Sequence, residues 1–283
     1  MLTPECAKYG DLQGKIALIM GIGQARTANS NIWGNGAAIA WALHCSGALV
    51  FGCDLSIDNA EHTSERIRKA GGTCSVMSAD ATSAESVAKV VDAVMVKYGR
   101  IDILINNVGM TVAGNASTLP EGTWDRQLEL NLKSVYLSCH AVLPIMEKQG
   151  FGCIVNNASI AGLRYLGKPQ VAYATAKAAV IHFTRVTAID YAAKGVRLNC
   201  VAPGLMFVPL VERMGQSRDP GEREAFRKIT EHNVPTGKMG TAFDVANAAA
   251  FLASGAAKYI TGQTLVVDGG LTSSTGTGFA AKL

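Results

Sequence analysis

The feature that most constrains this chain is a repeated alternation. Short apolar runs end in glycine or a polar cluster, and each is followed by a helix-patterned stretch. The runs occupy residues 15–21, 48–54, 73–79, 101–109, 152–158, 196–202 and 264–268. A run apolar on successive residues reads as a strand buried on both faces. Between the runs, helical patterns cover residues 34–43, 57–71, 83–99, 121–149, 173–193 and 242–253. Strands that alternate with helices pair in parallel, so the spacing predicts an α/β fold with a parallel sheet flanked by helices. No repeat and no linker interrupts the rhythm, so a single domain is expected over residues 1–283.

Only residues 205–240 break the pattern. Leu205, Met206, Phe207, Leu210 and Met214 are followed by a charged stretch over residues 218–232, expected to be helical. The whole reads as an excursion over a pocket, a lid whose apolar residues face a substrate or simply pack the lid itself. After the last strand, residues 272–283 read as a flexible tail.

Composition excludes several function classes. Charged residues make up 17% of the chain, the net charge is only +4, and no run of five like charges occurs. That leaves no nucleic-acid or membrane signature, and no stretch of about 18 apolar residues is present to span a bilayer. The seven cysteines, Cys6, Cys45, Cys53, Cys74, Cys139, Cys153 and Cys200, show no metal-ligand spacing. No metal site and no disulfide framework are expected, and the protein reads as reduced and cytoplasmic. The last residues, Ala281, Lys282 and Leu283, differ by one small residue from a Ser-Lys-Leu peroxisomal address, which would matter in a eukaryote.

Chemistry-bearing residues gather where the runs end. After the first run, Gly21, Gly34 and Gly36 form a strand–turn–helix whose amides can face an anion. Twelve residues separate Gly21 from Gly34, so this turn carries an insertion, with Arg26 inside it. The second run ends in Asp54, eighteen residues after Gly36, where a dinucleotide fold places the carboxylate for the ribose hydroxyls. An acid there repels a 2′-phosphate, which favours NAD over NADP, with Arg26 the opposing feature. The fourth run breaks into Asn106, Asn107 and Gly109, and Asn131 interrupts an otherwise apolar helix face.

Ser159 follows the fifth run, and Tyr173 and Lys177 stand four apart at the start of a small-residue helix. Residues four apart share a helix face, so an ammonium beside the phenol would favour its ionised form. A phenol so placed can exchange a proton with an alcohol or ketone.

In this order, the glycine turn, Asp54, Asp80, the Asn-Asn-Val-Gly run, Asn131, Ser159, Tyr173 with Lys177, Pro203-Gly204 and the final Asp-Gly-Gly resemble the short-chain dehydrogenase/reductase family across residues 12–272. The resemblance implies a single doubly wound Rossmann domain with seven parallel strands and NAD, or NADP, across the strand-order switch. It implies that Gly21, Gly34 and Gly36 line the pyrophosphate, Asp54 takes the adenosine ribose, and Asp80 and Ala81 border the adenine. Asn107 and Gly109 would lie beside the cofactor, with Pro203, Gly204 and position 208 near the carboxamide. Lys177 would hold the nicotinamide ribose and lower the pKa of Tyr173, the proton carrier, while Ser159 orients the substrate oxygen and Asn131 seats a water.

The implied reaction is hydride transfer between NAD(H) and a carbonyl or secondary alcohol, and the apolar residues of the excursion lead us to expect a moderately large, largely apolar small-molecule substrate. A homo-oligomer, dimer or tetramer, is implied on the helices of Asn131 and Tyr173. On the second of these, Ala176, Ala178, Ala179, Ile181 and Phe183 exceed what one sheet face can cover.

The chain departs from the family pattern at three places. Met20 stands where Thr is usual, and the glycine turn carries about nine extra residues. The Ser159–Tyr173 interval is one longer than common. Val208 replaces a hydroxyl residue. The long glycine turn is similar to that of the enoyl-reductase branch, which leaves alkene reduction as an alternative. A non-catalytic NAD(H)-binding sensor or scaffold is the other.

Overall fold

In a computed structural model, residues 6–26, 31–216 and 234–275 are described, with side chains in the last turn of one helix, 213–216, left aside. Seven strands form one sheet: β1 Ile16–Met20, β2 Leu49–Asp54, β3 Cys74–Ser78, β4 Ile103–Asn106, β5 Gly152–Asn157, β6 Val196–Pro203 and the late strand Thr264–Val267. With two short strands between, β7 Met206–Phe207 and β8 Gly240–Thr241, the late strand is β9. The order across the sheet is β3-β2-β1-β4-β5-β6-β9, and every pairing is parallel.

The helices α1 Asn35–Cys45, α2 Ile57–Lys69, α3 Ala84–Tyr98, α4 Glu121–Leu128, α5 Ser134–Gln149, α6 Val171–Ala192, α7 Pro209–Gln216 and α8 Ala242–Ala253 fill the connections. Successive residues of β1 show why both faces must be covered. Ala17 and Ile19 join one core with α1, α2 and α8, while Ile16, Leu18 and Met20 join the other with α3, α5 and α6. All five are nearly inaccessible, and each large side chain so buried contributes about 1.5–3 kcal/mol. The expected doubly wound α/β domain is what forms.

The small residues of α1 and α8, Ala37, Ala38, Ala42, Ala246 and Ala249 among them, let these helices pack closely on the sheet. Local signals set the ends. Ser83 accepts the Ser86 amide at the start of α3, and Gly99 closes it at φ +72°. Thr241 and Asp244 form a capping box on α8.

Two features differ from the sequence expectation. The helix expected over residues 121–149 is interrupted by a π-turn, Glu129–Lys133, centred on Asn131. The excursion is also pinned at its base: Met206 and Phe207 pair with Gly240 and Thr241, which brings its two ends together. Met206 is buried at 6% exposure against Gly240, so it packs the scaffold rather than facing a pocket; Phe207 and Leu210 are exposed. The region expected to be helical at 218–232, the side chain of Met214 and the 281–283 terminus lie outside the described residues, as does most of the tail. Among the described residues no helix is long and apolar enough to cross a membrane, and no cluster suited to a metal occurs.

Candidate active site at the carboxyl edge of the sheet

Strand order reverses between β1 and β4, because the chain runs outward from β1 to β3 and then returns to the other side. A crevice opens at such a point, and the sequence-derived residues lie around it. Gly21 leaves β1 at φ +84°, a conformation glycine adopts without strain. Its carbonyl accepts from Asn107 Nδ2 at 2.8 Å, joining the ends of β1 and β4. Gly36 is packed against the same carbonyl: a Cβ there would lie 2.0 Å from Gly21 O and 2.6 Å from Asn107 Nδ2. Gly34, by contrast, faces open space and caps α1 with no side-chain acceptor.

The inserted turn is tied down on its flanks. Gln24, buried, accepts the Gly34 amide at 3.0 Å and donates to the Ile32 carbonyl at 2.8 Å. Trp33 packs edge-on against Trp41 and Phe243, with the Arg66 guanidinium 3.3 Å over its ring. Arg26 is exposed.

Asp54 ends β2 and turns back toward the glycine turn. Its Oδ2 accepts the Gly23 amide at 3.0 Å and its Oδ1 the Ser56 amide at 3.1 Å. Gly23, which sequence reasoning passed over, is needed for that approach, since a Cβ would sit 2.5 Å from the carboxyl carbon. Asp80 caps the turn after β3; the amide and hydroxyl of Thr82 hold its carboxyl below the ordinary range. Ala81 is buried beside it.

The candidate catalytic side chains come from α6, the loop after β5 and the π-turn. A Cβ on Gly109 would lie 2.8 Å from Asn131 Oδ1 and 3.3 Å from Lys177 Nζ, so this glycine brings the two together. Asn131, inaccessible to solvent, accepts the Met110 amide and donates to the carbonyls of Met110 and Gln127. Its bond to the carbonyl four residues earlier competes with the helix ladder, in keeping with the π-turn at this point.

Lys177 Nζ donates to Asn157 O at 2.9 Å and lies 5.8 Å from the Tyr173 ring centroid. The Asn157 side chain in turn donates to Asn107 Oδ1 at 2.7 Å. Asn157 thus links the amine to the glycine turn, a role its position in the run did not announce. Ser159 Oγ accepts the Ala161 amide at 3.1 Å, and its hydroxyl is near enough to the Tyr173 phenol to favour the ionised form.

Burial dominates the electrostatics. It lowers the Lys177 pKa to about 8, with Cys200 acting weakly the other way. It pushes the Tyr173 phenol above its ordinary value, while the neighbouring Ser159 hydroxyl pulls the opposite way. The expected lowering of Tyr173 by Lys177 is not found: desolvation raises the phenol, and the opposing contribution comes from Ser159.

Behind these groups runs a buried polar chain. Ser138 donates to Asn106 Oδ1, Asn106 to Asn156 Oδ1, and Asn156 to Thr184 Oγ1, at 2.6–2.8 Å. It ties α5 and α6 to the sheet.

Pro203 ends β6, and Gly204 packs so closely on Asp268 that a Cβ would lie 2.6 Å away. Val208 packs against the α1–α8 core. Next to the loop after Ser159 a cavity of about 400 Å³ is lined by Ala161, Tyr165, Leu166, Lys168, Pro169 and Val171, among others. A more open depression of about 550 Å³ at the β3 edge shares no residue with this group. On α6, Ala176 and Ile181 are covered within the chain itself and Ala178 is exposed; the large hydrophobic residues left exposed on α5 and α6 are Tyr136, Val186 and Ile189.

Known proteins align with this arrangement over nearly its whole length. A family model described as enoyl-(acyl carrier protein) reductase matches residues 30–272. The 3-oxoacyl-[acyl-carrier-protein] reductase FabG of Thermotoga maritima is 34% identical, covering 92% of this chain and 98% of that protein. D-threitol dehydrogenase of Mycolicibacterium smegmatis is 36% identical over 92% of this chain and 94% of its own length. Among solved structures, one described as a short-chain dehydrogenase/reductase from Burkholderia xenovorans superposes with a TM-score of 0.89 at 43% identity, covering 94% of this chain and 99% of that one. With this fold, this crevice and these relatives, the chain belongs to the short-chain dehydrogenase/reductase family of oxidoreductases.

Proposed function

We propose that the protein transfers a hydride between NAD(H) and a carbonyl or secondary alcohol of a moderately large, largely apolar substrate, with Tyr173 moving the proton. The observation that carries this reading is the convergence of a phenol, a neighbouring hydroxyl and a buried amine: Tyr173 near Ser159, with Lys177 Nζ 5.8 Å from its ring centroid and held by the Asn157 carbonyl. The first-turn amides of α1, uncapped by any side chain, the open space at Gly34 and the carboxylate of Asp54 fit a dinucleotide. In this reading Gly21, Gly34 and Gly36 hold the pyrophosphate. Asp54 takes the adenosine ribose hydroxyls, for which each of its oxygens retains a lone pair. Asp80 and Ala81 border the adenine, Asn107, Gly109, Pro203, Gly204 and Val208 flank the nicotinamide half, and Lys177 holds its ribose.

The bound dinucleotide supplies or accepts the hydride; the protein supplies position and protons. Ser159 has its Oγ fixed by the Ala161 amide, which leaves its O–H to donate to the substrate oxygen. Tyr173, kept protonated by burial, gives its proton to that oxygen in reduction and takes one in oxidation. Asn131 and Lys177, brought together at Gly109, sit where a water can return the proton to solvent. The cavity beside Tyr165, Leu166, Pro169 and Val171 supports an apolar substrate body. The same reading extends to a homo-oligomer, dimer or tetramer, on the exposed Tyr136, Val186 and Ile189; a monomeric mass by light scattering contradicts it.

Fluorescence titration of the purified protein with NADH and NADPH tests the cofactor assignment. NADH is expected to bind at least about tenfold tighter, because Asp54 repels a 2′-phosphate at close range. Tighter NADPH binding would assign that phosphate to Arg26 of the inserted turn, and absence of binding by either would overturn the reading. Alkene reduction is favoured by the description of the matching family model. A panel containing enoyl thioesters beside ketones separates the two reactions, and turnover of the enoyl members alone would establish alkene reduction.

A further inference from the structure

The amine of Lys177 stands in a slot between two strand ends. On one side its Nζ donates to the carbonyl of Asn157, the last residue of β5, at 2.9 Å. On the other lies Gly109, in the loop after β4, where an added Cβ would come within 3.3 Å of the amine. The paired register of β4 and β5 ends with Asn106 opposite Asn156, so Asn107 and Asn157 stand one position beyond the last pair. There the side chains continue the contact: Asn157 Nδ2 donates to Asn107 Oδ1 at 2.7 Å. Asn107 in turn donates to Gly21 O at 2.8 Å, and Gly36 packs against both atoms of that bond. The Asn157 Oδ1 is enclosed with no hydrogen-bond partner among the described residues. An enclosed oxygen left so disfavours folding, so stability does not account for an amide at this position.

We propose that Asn157 is a positioning residue, whose side chain fixes the width of the slot between β4 and β5 and so holds the Lys177 amine in register with the glycine turn. The inference rests on the assignment of Tyr173 and Lys177 to the proposed proton transfer.

An acceptor at 2.9 Å favours the ammonium over the neutral amine, while burial works the other way and brings the Lys177 pKa to about 8. The titratable groups facing the amine are Tyr173 on its own helix and Cys200 on β6, both kept protonated by burial. Its neighbours from the π-turn, the loop after β4 and the end of β5 are Asn131, Gly109 and Asn157, none of them charged. With no carboxylate beside it, the ammonium depends on the Asn157 carbonyl. Loss of the side-chain tie to Asn107 frees the end of β5 to draw that carbonyl away, and a hydrogen bond weakens steeply beyond its ordinary length. The bond from Asn107 to Gly21 O does not involve Asn157 and survives the loss. The tie therefore acts on the proton side of the reaction and leaves the dinucleotide cradle in place.

The test compares Asn157→Leu, similar in size but without the amide, with Asn157→Gln, which retains it. Lys177 is titrated by NMR through its Cε signal in the full chain labelled at lysine with carbon-13, assigned with Lys177→Arg, and ketone reduction is profiled against pH on the same samples. In Asn157→Leu the Lys177 pKa is expected to fall by about one unit. Turnover should then drop about fivefold at pH 8 and less than about twofold at pH 6, with NADH affinity within about threefold of the unsubstituted protein. Asn157→Gln should lie closer to the unsubstituted protein on both measures. An unmoved Lys177 titration in Asn157→Leu, with turnover either unchanged or lowered equally at every pH, would overturn the proposal. Where the unsubstituted protein reduces no ketone, the proposed oxidoreductase chemistry falls and the NMR titration alone decides the part played by Asn157. Asn157→Ala, which adds no atom to the crevice, repeats the titration if the Leu variant does not fold.

Discussion

Lys177 is a charged side chain at 3% exposure, and its burial makes it sensitive to pH near neutrality. Its pKa of about 8 means that the ammonium is intact below that value and is lost above it. Burial holds the Tyr173 phenol protonated past its ordinary value. Ketone reduction, which needs both protons, should be flat below about pH 7 and fall roughly tenfold per unit well above pH 8. A profile that stays level to pH 10 would remove Lys177 from the chemistry. Ser159, Tyr173 and Lys177 were legible because helix periodicity relates two of them and a strand end delivers the third. Gln24, Gly23 and Asn157 were not: Gln24 acts on Gly34 across the inserted turn, and Asn157 acts on Asn107, fifty residues earlier, so their partners are set only by the sheet. The weight of desolvation on Tyr173 was equally hidden, because spacing shows a neighbour but not how much water is left.

At the scale of elements, the turn from β1 to α1 separates packing from binding. Gly36→Ala forces a Cβ to within 2.0 Å of Gly21 O, with no flexible side chain to yield. It should cost about 2–3 kcal/mol in urea unfolding. Gly34→Ala meets nothing and should cost less than about 1 kcal/mol, the loss of a favourable cap residue, while weakening NADH binding several-fold. Equal stability losses in the two variants would mean that the open space at Gly34 has no part in binding. The long elements were legible to within a few residues because a strand buried on both faces and a helix with one apolar face leave distinct patterns. The β7–β8 ladder was not, since two-residue strands more than thirty residues apart carry no period. The π-turn was not either, because it goes with the Asn131 side chain bonding the Gln127 carbonyl of its own helix as well as the Met110 backbone in the loop after β4.

Across the whole molecule, the five core thiols couple stability to alkaline pH. Burial raises Cys53 and Cys139 to about 12, Cys74 and Cys200 to about 11, and Cys153 in the same direction, from an ordinary value of 9.0. A thiol whose folded pKa is raised gives stability that is complete below 9 and lost as pH climbs toward 11–12. Lys177, lowered from 10.5, works oppositely between about 8 and 10.5, but it is one group against five. The urea midpoint should therefore drop between pH 8 and pH 10, and Cys139→Ala should soften the drop; an unchanged midpoint would contradict it.

The doubly wound sheet places the carboxyl ends of β1, β2, β4 and β5 around one crevice, and the proposed reaction rests on a single phenol within it. Its most direct test is turnover of apolar ketones by Tyr173→Phe at saturating NADH, with NADH affinity measured on the same sample. Affinity within about threefold of the unsubstituted protein and turnover reduced by roughly 10²–10⁴ is the predicted result. Undiminished turnover with the phenol gone would contradict the account.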